Sequence, residues 1–136
     1  MTSIRPHTFL LIIAILLLFL TSGCQKSPIN GDLDGQWQVM EVSPEPVETP
    51  INARLYYCFY LHVCQLNYYG GTLTTGSMDY SGDHITLSFP DTSEETAAGL
   101  PQYGIPTNPV TFTVDRLDSK SLILRSAATT VTLRKF

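Results

Sequence analysis

Short segments of alternating apolar and polar residues follow one another through most of the chain after residue 34. A period of two is typical of a strand with one face toward a core and the other toward solvent. Polar or glycine-rich breaks separate these segments at residues 70–71, 81–83, 117–120 and 127–129. Short strands joined by short turns pair antiparallel, so the pattern predicts an all-β sandwich or barrel.

The predicted strands cover residues 35–42, 54–67, 72–80, 84–89, 110–116, 121–126 and 130–136. The second is the longest, because no Gly, Pro, Asn or Asp interrupts residues 54–66. We expect its odd positions to face the core and its even positions, which include Cys58, His62 and Cys64, to form an amphipathic face. The reverse orientation would line a cavity with phenols, thiols and an imidazole. Gly76 is predicted to mark a bulge or bend in its strand.

Cys58 and Cys64 are predicted to be free thiols. On one continuous strand their Cα atoms lie about 20 Å apart, whereas a disulfide requires a separation of roughly 7 Å or less. A disulfide between them would require a turn near residues 60–62.

Two irregular segments interrupt the strands. Residues 43–52 contain three prolines and are predicted to form an exposed, extended loop. Residues 91–109 contain a capping-box pattern at Thr92 and Glu95 and a glycine at residue 99, which predicts one short helix. Because long irregular loops in compact domains are usually functional or disordered, the second segment is a candidate cover for an opening or a contact surface for a partner.

The amino terminus has the pattern of an export signal. An unbroken apolar run occupies residues 9–20, and at this length it is shorter than the roughly 20 residues that span a bilayer, so residues 1–23 are predicted to be a signal peptide. The sequence Thr-Ser-Gly-Cys that ends at Cys24 resembles the lipobox of bacterial lipoproteins. The resemblance implies cleavage before Cys24 and lipid attachment to its thiol. The alternative is a secreted protein in which Cys24 stays free.

The remaining chain is acidic. After removal of residues 1–23 it carries seven Lys and Arg against 12 Asp and Glu, a formal charge of −5. Without a basic cluster it is not expected to bind nucleic acid, and membrane contact is expected to come from the lipid on Cys24. Residues 24–33 are predicted to be a polar tether and residues 34–136 one β domain. Gln25 and Lys26 are not followed by an acidic run, which favours the outer membrane and its periplasmic side.

The residues that carry catalytic or metal-binding chemistry are few. After the signal, His62 and His84 are the only histidines, and no Gly-x-Ser-x-Gly motif occurs. Cys58 and His62 would lie about 13 Å apart on one strand, too far for a nucleophile and its base. A closed zinc site needs four ligands, more than this strand supplies. We therefore expect no enzyme activity, no metal and no cofactor.

The strand that opens the domain carries a recognisable motif. Gly35-Gln36-Trp37 resembles the Gly-x-Trp opening of lipocalin and calycin barrels, in which the tryptophan closes one end of the barrel. With the strand order and the carboxyl end VTFTVDRLDSKSLILRS…VTLRKF, the chain resembles the lipocalin-like lipoproteins of Bacteroides-type bacteria over nearly all of its mature length. The resemblance implies a small antiparallel up-and-down barrel of seven or eight strands with at most one short helix, in the cell envelope.

Two functions fit these expectations. The first is binding of a small apolar or amphipathic molecule at a mouth bordered by residues 43–52 and 91–109, since an eight-stranded barrel can hold one small ligand. The predicted wall residues are Trp37, Tyr57, Phe59, Met78 and Tyr80. The second is a structural or interaction module, an accessory subunit or inhibitor of an envelope protein. This second function is expected if the core of the barrel is filled, because the chain is short for eight strands that enclose a large cavity.

Overall fold

The structure is a computed structural model that describes residues 5–21, 29–46 and 54–136. Helix α1 (Pro6–Thr21) contains the apolar run of the predicted signal. Among the described residues, no helix is long and apolar enough to cross a membrane. Cys24 lies outside the described residues, as does the later part of the proline-containing loop.

Eight antiparallel strands close into an up-and-down barrel. They are β1 (Gly35–Ser43), β2 (Leu55–Tyr60), β3 (Val63–Tyr68), β4 (Gly71–Ser81), β5 (His84–Ser88), β6 (Val110–Leu117), β7 (Ser121–Arg125) and β8 (Thr130–Lys135). Strand β8 pairs with β1, so the sheet has no free edge. The predicted barrel is confirmed, and its described part contains one short α-helix, α2 (Glu94–Gly99).

The two ends of the barrel differ. At the lower end the chain enters β1 through a 3₁₀ helix at Gly31–Leu33. Three tight turns, at residues 61–62, 82–83 and 118–120, also lie at this end. The upper end carries the turns at residues 69–70 and 126–129 and the connection from β5 to β6, which consists of α2, a second 3₁₀ helix (Leu100–Tyr103) and extended chain. The chain before β1 and the long connection therefore lie at opposite ends.

The prediction of one strand over residues 54–67 is wrong, because the chain reverses at Leu61 and His62 to form the β2–β3 hairpin. Leu61 has a left-handed φ of 54°, which is unfavourable for a residue with a Cβ. The side-chain amide of Asn30 donates to the Leu61 carbonyl at 2.8 Å, and the His62 carbonyl accepts from the Met78 amide at 2.7 Å. Contacts from distant parts of the chain thus hold a turn that contains no usual turn residue.

The hairpin changes which side chains share a face. Before the turn the odd positions point inward, as predicted, and after it the even positions do. Cys58 is therefore half-buried on the outer wall, whereas Cys64 is buried inside the barrel, and the expected common face of Cys58, His62 and Cys64 is wrong. Both thiols are free, because they lie on opposite faces of the sheet rather than far apart on one strand. Burial raises the pKa of each, which disfavours the reactive thiolate.

Side chains from every strand fill the interior. The alternating apolar residues of the last three strands point inward, and Val114 among them is only partly buried. The buried ones are Val110, Phe112, Leu122, Leu124, Val131 and Leu133. The β4 bulge is at Leu73 rather than at the predicted position, Gly76, because Leu66 pairs with Thr74 whereas Asn67 pairs with Thr72. A Cβ at Gly76 would overlap the Ser88 carbonyl and lie 2.6 Å from the Phe89 ring. The glycine thus allows β5 and Phe89 to pack closely against β4.

Trp37 closes the lower end. Its indole N–H donates to the Leu33 carbonyl at 2.8 Å, and the Lys135 ammonium lies 4.5 Å from the centre of its ring. The same ammonium donates to the carbonyl oxygens of Asp32, at 3.0 Å, and Asp34. These contacts join the first strand, the last strand and the chain that precedes them, in the position that the Gly-x-Trp resemblance implies.

Candidate functional site

A groove of about 440 Å³ lies at the upper end of the barrel. One wall consists of Val42 and the residues that follow β1 as far as Pro46, and the other runs from Ala98 to Pro106, with Thr129 beside it. The volume falls within the roughly 300–1,000 Å³ that is usual for small-molecule pockets. The groove therefore lies between the two loops that were expected to border a mouth.

The helix in the second wall begins differently from the prediction. The side chain of Ser93, rather than Thr92, caps α2 by accepting from the Thr96 amide at 3.4 Å. The Asp91 carboxylate accepts from the Ser93 amide at 2.9 Å and from the Thr96 hydroxyl at 2.8 Å. The hydrogen bond from the Ser93 amide is the main cause that lowers the pKa of Asp91 below its ordinary value, and the bond from the Thr96 hydroxyl adds to it. These bonds fix the start of the helix by satisfying its free amides.

Three hydrogen bonds attach the second wall to the barrel. The Tyr103 hydroxyl donates to the Asn67 carbonyl at 2.7 Å, and the Tyr57 hydroxyl donates to the Tyr103 carbonyl at 2.5 Å. On the other side, the Thr129 hydroxyl donates to the Gly104 carbonyl at 2.6 Å. The second wall of the groove is therefore fixed to β2, to β3 and to the turn between β7 and β8.

The phenols below the groove are buried and neutral. The pKa of Tyr57 lies well above its ordinary value, and burial is the largest cause. Burial also raises the pKa of Tyr103. Their rings meet edge to face, with centres 5.9 Å apart. A protonated Tyr57 remains a hydrogen-bond donor, so the attachment to Tyr103 persists throughout the neutral pH range.

The five predicted wall residues are together in the core rather than along the groove. Trp37, Tyr57, Phe59 and Met78 are all at most 2 % exposed, and Tyr80 is partly buried against them. None of the five lines the groove. Tyr57 is linked to it through Tyr103, and contact of these side chains with a ligand stays a prediction.

Comparison with known proteins identifies the family. Residues 17–136 match the family described as "Lipocalin-like domain". The chain belongs to this lipocalin-like family. The crystal structure of a lipocalin-like protein from Bacteroides uniformis is similar to this lipocalin-like chain, with a TM-score of 0.60 and 23 % identity over 78 % of this chain and 100 % of that one.

A second crystal structure, of an uncharacterized protein from Bacteroides eggerthii, has a TM-score of 0.55 and 22 % identity, over 76 % of this lipocalin-like chain and 98 % of that one. No curated protein matches the chain. At these identities the two crystal structures support the fold alone, and the resemblance predicted from Gly35-x-Trp37 and the strand order is confirmed.

The groove of this lipocalin-like domain is lined by none of the five predicted wall residues, although most of its lining lies in the two loops predicted to border the mouth. Four prolines and the small residues Ala98 and Gly104 form much of its surface, with Val42 and Ile105 below. The prediction chose large aromatic residues because they suit an apolar cavity, but in this barrel such residues fill the core. The available signal was the concentration of prolines in the two loops.

Chemically, the groove suits binding. In the part of the chain that the structure describes, Glu45 is the one charged residue that lines it. His62 lies in the turn after β2, and His84 follows Asp83 with its Nδ1 2.6 Å from that carboxylate, so both imidazoles are at the opposite end of the lipocalin-like barrel. Within residues 5–21, 29–46 and 54–136, no group of three or more His, Cys, Asp or Glu could hold a metal. What the groove presents is an apolar surface with one carboxylate at its rim.

Proposed function

We propose that this lipocalin-like domain is a lipid-anchored envelope protein that binds one small apolar or amphipathic molecule in the upper groove, without catalysis. The observation that carries the proposal is the groove itself, about 440 Å³ in volume and lined mainly by apolar atoms. Its second wall is held by hydrogen bonds to two strands, so this wall needs little ordering when a ligand binds. Preorganisation of this kind raises affinity.

The orientation of the barrel supports delivery of the ligand through water. Leu33 is buried and Asn30 bonds to Leu61 at the lower end, so only residues 25–28 separate Cys24 from the folded domain, and they span at most about 14 Å. The groove lies at the upper end. A lipid on Cys24 would therefore hold the groove on the side away from its membrane. The proposed ligand arrives from the aqueous compartment rather than directly from that bilayer.

Charge restricts the class of ligand. The described residues that line the groove include Glu45 and no cationic side chain, and the chain after residue 23 has a formal charge of −5. A carboxylate at the rim of an apolar site attracts a cation and repels an anion. A neutral or cationic amphiphile is therefore favoured over a fatty acid or another anionic one.

The proposal is tested with a pair of tryptophan substitutions in α2. Ala98 is exposed and lines the groove, whereas its neighbour Ala97 is exposed and does not. Ala98→Trp should fill the groove and lower the affinity for the neutral probe N-phenyl-1-naphthylamine at least tenfold, whereas Ala97→Trp should leave it unchanged. Extraction of the natively purified full-length protein, followed by mass spectrometry, should yield a recurrent small molecule that Ala98→Trp loses. Equal affinities in the two variants, or no bound molecule and no probe binding, would contradict the proposal.

The packed interior favours a second candidate, the interaction module. The rings of Tyr57 and Phe59 lie 5.7 Å apart, and Tyr103 packs against Tyr57 from above, so the core is filled between them. An empty native extract, together with an envelope protein that copurifies stoichiometrically in mild detergent, would support this alternative.

A further inference from the structure

A second groove, of about 430 Å³, lies on the outer wall of the barrel. It extends over β1, β2 and β3 to the turn at residues 69–70. Four aromatic residues line it: Tyr56, Tyr68, Tyr69 and Phe136. It lies outside the barrel and shares no lining residue with the upper groove.

Phe136 forms one flat surface of this outer groove. Tyr56 points outward from β2 but is only 6 % exposed, and it forms the floor. The ring of Phe136 meets it edge to face, with centres 5.1 Å apart and an angle of 67° between planes. The Phe136 amide donates to the Gln36 carbonyl at 2.9 Å, and yet the residue is 71 % exposed. The backbone is therefore held while the ring remains available.

Tyr69 forms a second flat surface. It lies in the turn after β3 and is 78 % exposed. The Arg54 guanidinium lies 5.8 Å from the centre of its ring, so it occupies one side. Two exposed aromatic rings beside one groove form a surface that suits a ligand with flat apolar faces.

Amide groups supply the polar contacts. Gln36 and Asn67 line the groove, and the Gln36 side chain makes no hydrogen bond to any described residue. The Asn67 side chain is positioned by Gln65, at 3.3 Å, and by the Thr72 hydroxyl, at 2.9 Å. A planar amide offers a donor and an acceptor side by side, which matches two adjacent hydroxyl groups.

The composition of the outer groove distinguishes it from the upper one. Among the described residues that line it there is no Ala, Val, Leu, Ile, Met or Pro, and Arg54 is the one charged side chain. The hydrocarbon chains of a lipid would favour aliphatic contacts, and a charged ligand would favour several opposite charges. Aromatic rings with amides and a hydroxyl instead suit a molecule that combines flat C–H faces with neutral hydroxyl groups.

We propose that the outer groove is a binding site for a neutral oligosaccharide. The C–H faces of successive sugar rings stack on Phe136 and Tyr69, and their hydroxyl groups bond to the amides of Gln36 and Asn67. This site is independent of the ligand proposed for the upper groove.

The test measures sugar binding by the full-length chain in a polyoxyethylene detergent, which has no sugar head group. Isothermal titration calorimetry with maltohexaose, cellohexaose, xylohexaose and mannohexaose should detect binding of at least one. Tyr69→Ala and Phe136→Ala should each weaken that binding at least tenfold. Phe136→Leu, which keeps an apolar side chain but removes the flat ring, should weaken it similarly.

Matched control variants test whether the sugar binds in the outer groove. Tyr60→Ala removes another exposed tyrosine, 65 % exposed and outside the groove, and should leave binding unchanged, as should Ala98→Trp in the upper groove. No binding of any hexasaccharide at millimolar concentration would overturn the proposal. Binding that is insensitive to Tyr69→Ala and Phe136→Ala would do the same. Binding confined to sulfated or uronic oligosaccharides, or loss of a copurifying protein in Tyr69→Ala without any sugar binding, would assign the groove to another class of partner.

Discussion

The hydroxyl group of Tyr57 donates to the backbone carbonyl of Tyr103, which lies 46 residues further along the chain, at 2.5 Å. Tyr57 is on β2 inside the barrel, and Tyr103 is the last residue of the 3₁₀ helix in the upper connection. The hydrogen bond therefore joins the wall of the upper groove to the barrel interior. It makes the shape of the groove dependent on the packing of the core.

Tyr57→Phe removes this donor and leaves the Tyr103 carbonyl buried without it. The free energy of unfolding at pH 7 should fall by about 1–2 kcal/mol, the usual cost of an unsatisfied buried group. Because burial raises the Tyr57 pKa in the folded protein, the phenol ionises only in the unfolded chain as the pH rises above about 10. The advantage of the wild type over Tyr57→Phe should therefore shrink from pH 10 upward.

Urea denaturation of both proteins at pH 7 and at pH 10.5–11 measures this difference. Tyr80→Phe is the control, because Tyr80 is only partly buried and its hydroxyl makes no hydrogen bond to the described residues. A Tyr57→Phe protein as stable as the control at pH 7, or a difference that grows with pH, would contradict the expectation.

Gly104→Ala should destabilise the protein and deform the groove. Gly104 has a φ of 77°, and a Cβ there would overlap the Val131 side chain and lie 3.3 Å from Val42. The left-handed conformation and the overlap together predict a loss of about 2–4 kcal/mol. Gly82 has a similar φ of 62° with nothing within 4 Å, so Gly82→Ala should cost only about 1–2 kcal/mol. Thermal and urea denaturation of the two variants compare them directly, and equal losses would show that the overlap is relieved.

The turn at Leu61 offers a stabilising substitution. Asparagine tolerates the left-handed conformation better than other residues with a Cβ, so Leu61→Asn should raise the free energy of unfolding by about 0.5–1 kcal/mol. Leu61→Ala retains the unfavourable conformation and should give no such gain. If the two variants unfold at the same urea concentration, the φ of 54° at Leu61 does not store the expected strain.

The same turn shows what could be predicted of the fold. Strands bounded by glycines, such as β4 and β5, were predicted to within one residue, because the turn residues and the alternating pattern give the same answer. The β2–β3 hairpin was missed because Leu61 is held by the side chain of Asn30, a contact that no local pattern announces. The odd apolar pattern continues through Leu61 and Val63 in the sequence, so the change of inward parity between Phe59 and Cys64 is visible only in the folded barrel.

The candidate site was predicted less completely than the fold. The two loops that border the upper groove could be chosen because their prolines and length set them apart. The residues that line the groove could not be predicted. Whether a large inward residue such as Phe59 fills the core or faces a cavity depends on how the barrel packs. The outer groove depends on the register that sets Phe136 against Tyr56, which only the folded barrel defines.

At the lower end, Lys135 should contribute to stability through Trp37. Lys135→Met keeps the apolar stem but removes the ammonium that lies over the indole ring and donates to the carbonyls of Asp32 and Asp34. A partly exposed cation over an aromatic ring and its hydrogen bonds predict a loss of about 1–2 kcal/mol. Arg134→Met changes the neighbouring exposed cation and should cost less than about 0.5 kcal/mol.

Trp37 is the single tryptophan of the chain, so its fluorescence reports this end directly. In Lys135→Met its emission should shift to longer wavelength and be quenched more readily by acrylamide, because the chain over residues 31–34 opens when the ammonium no longer joins it to β8. Amide hydrogen exchange at Leu33, whose amide donates to the Asn30 carbonyl, should also become faster. A fall in stability without a change in tryptophan emission or amide exchange would contradict this expectation and show that Lys135 acts by charge alone. The attachment of the chain before β1 would then depend on the hydrogen bond from the Trp37 indole to Leu33.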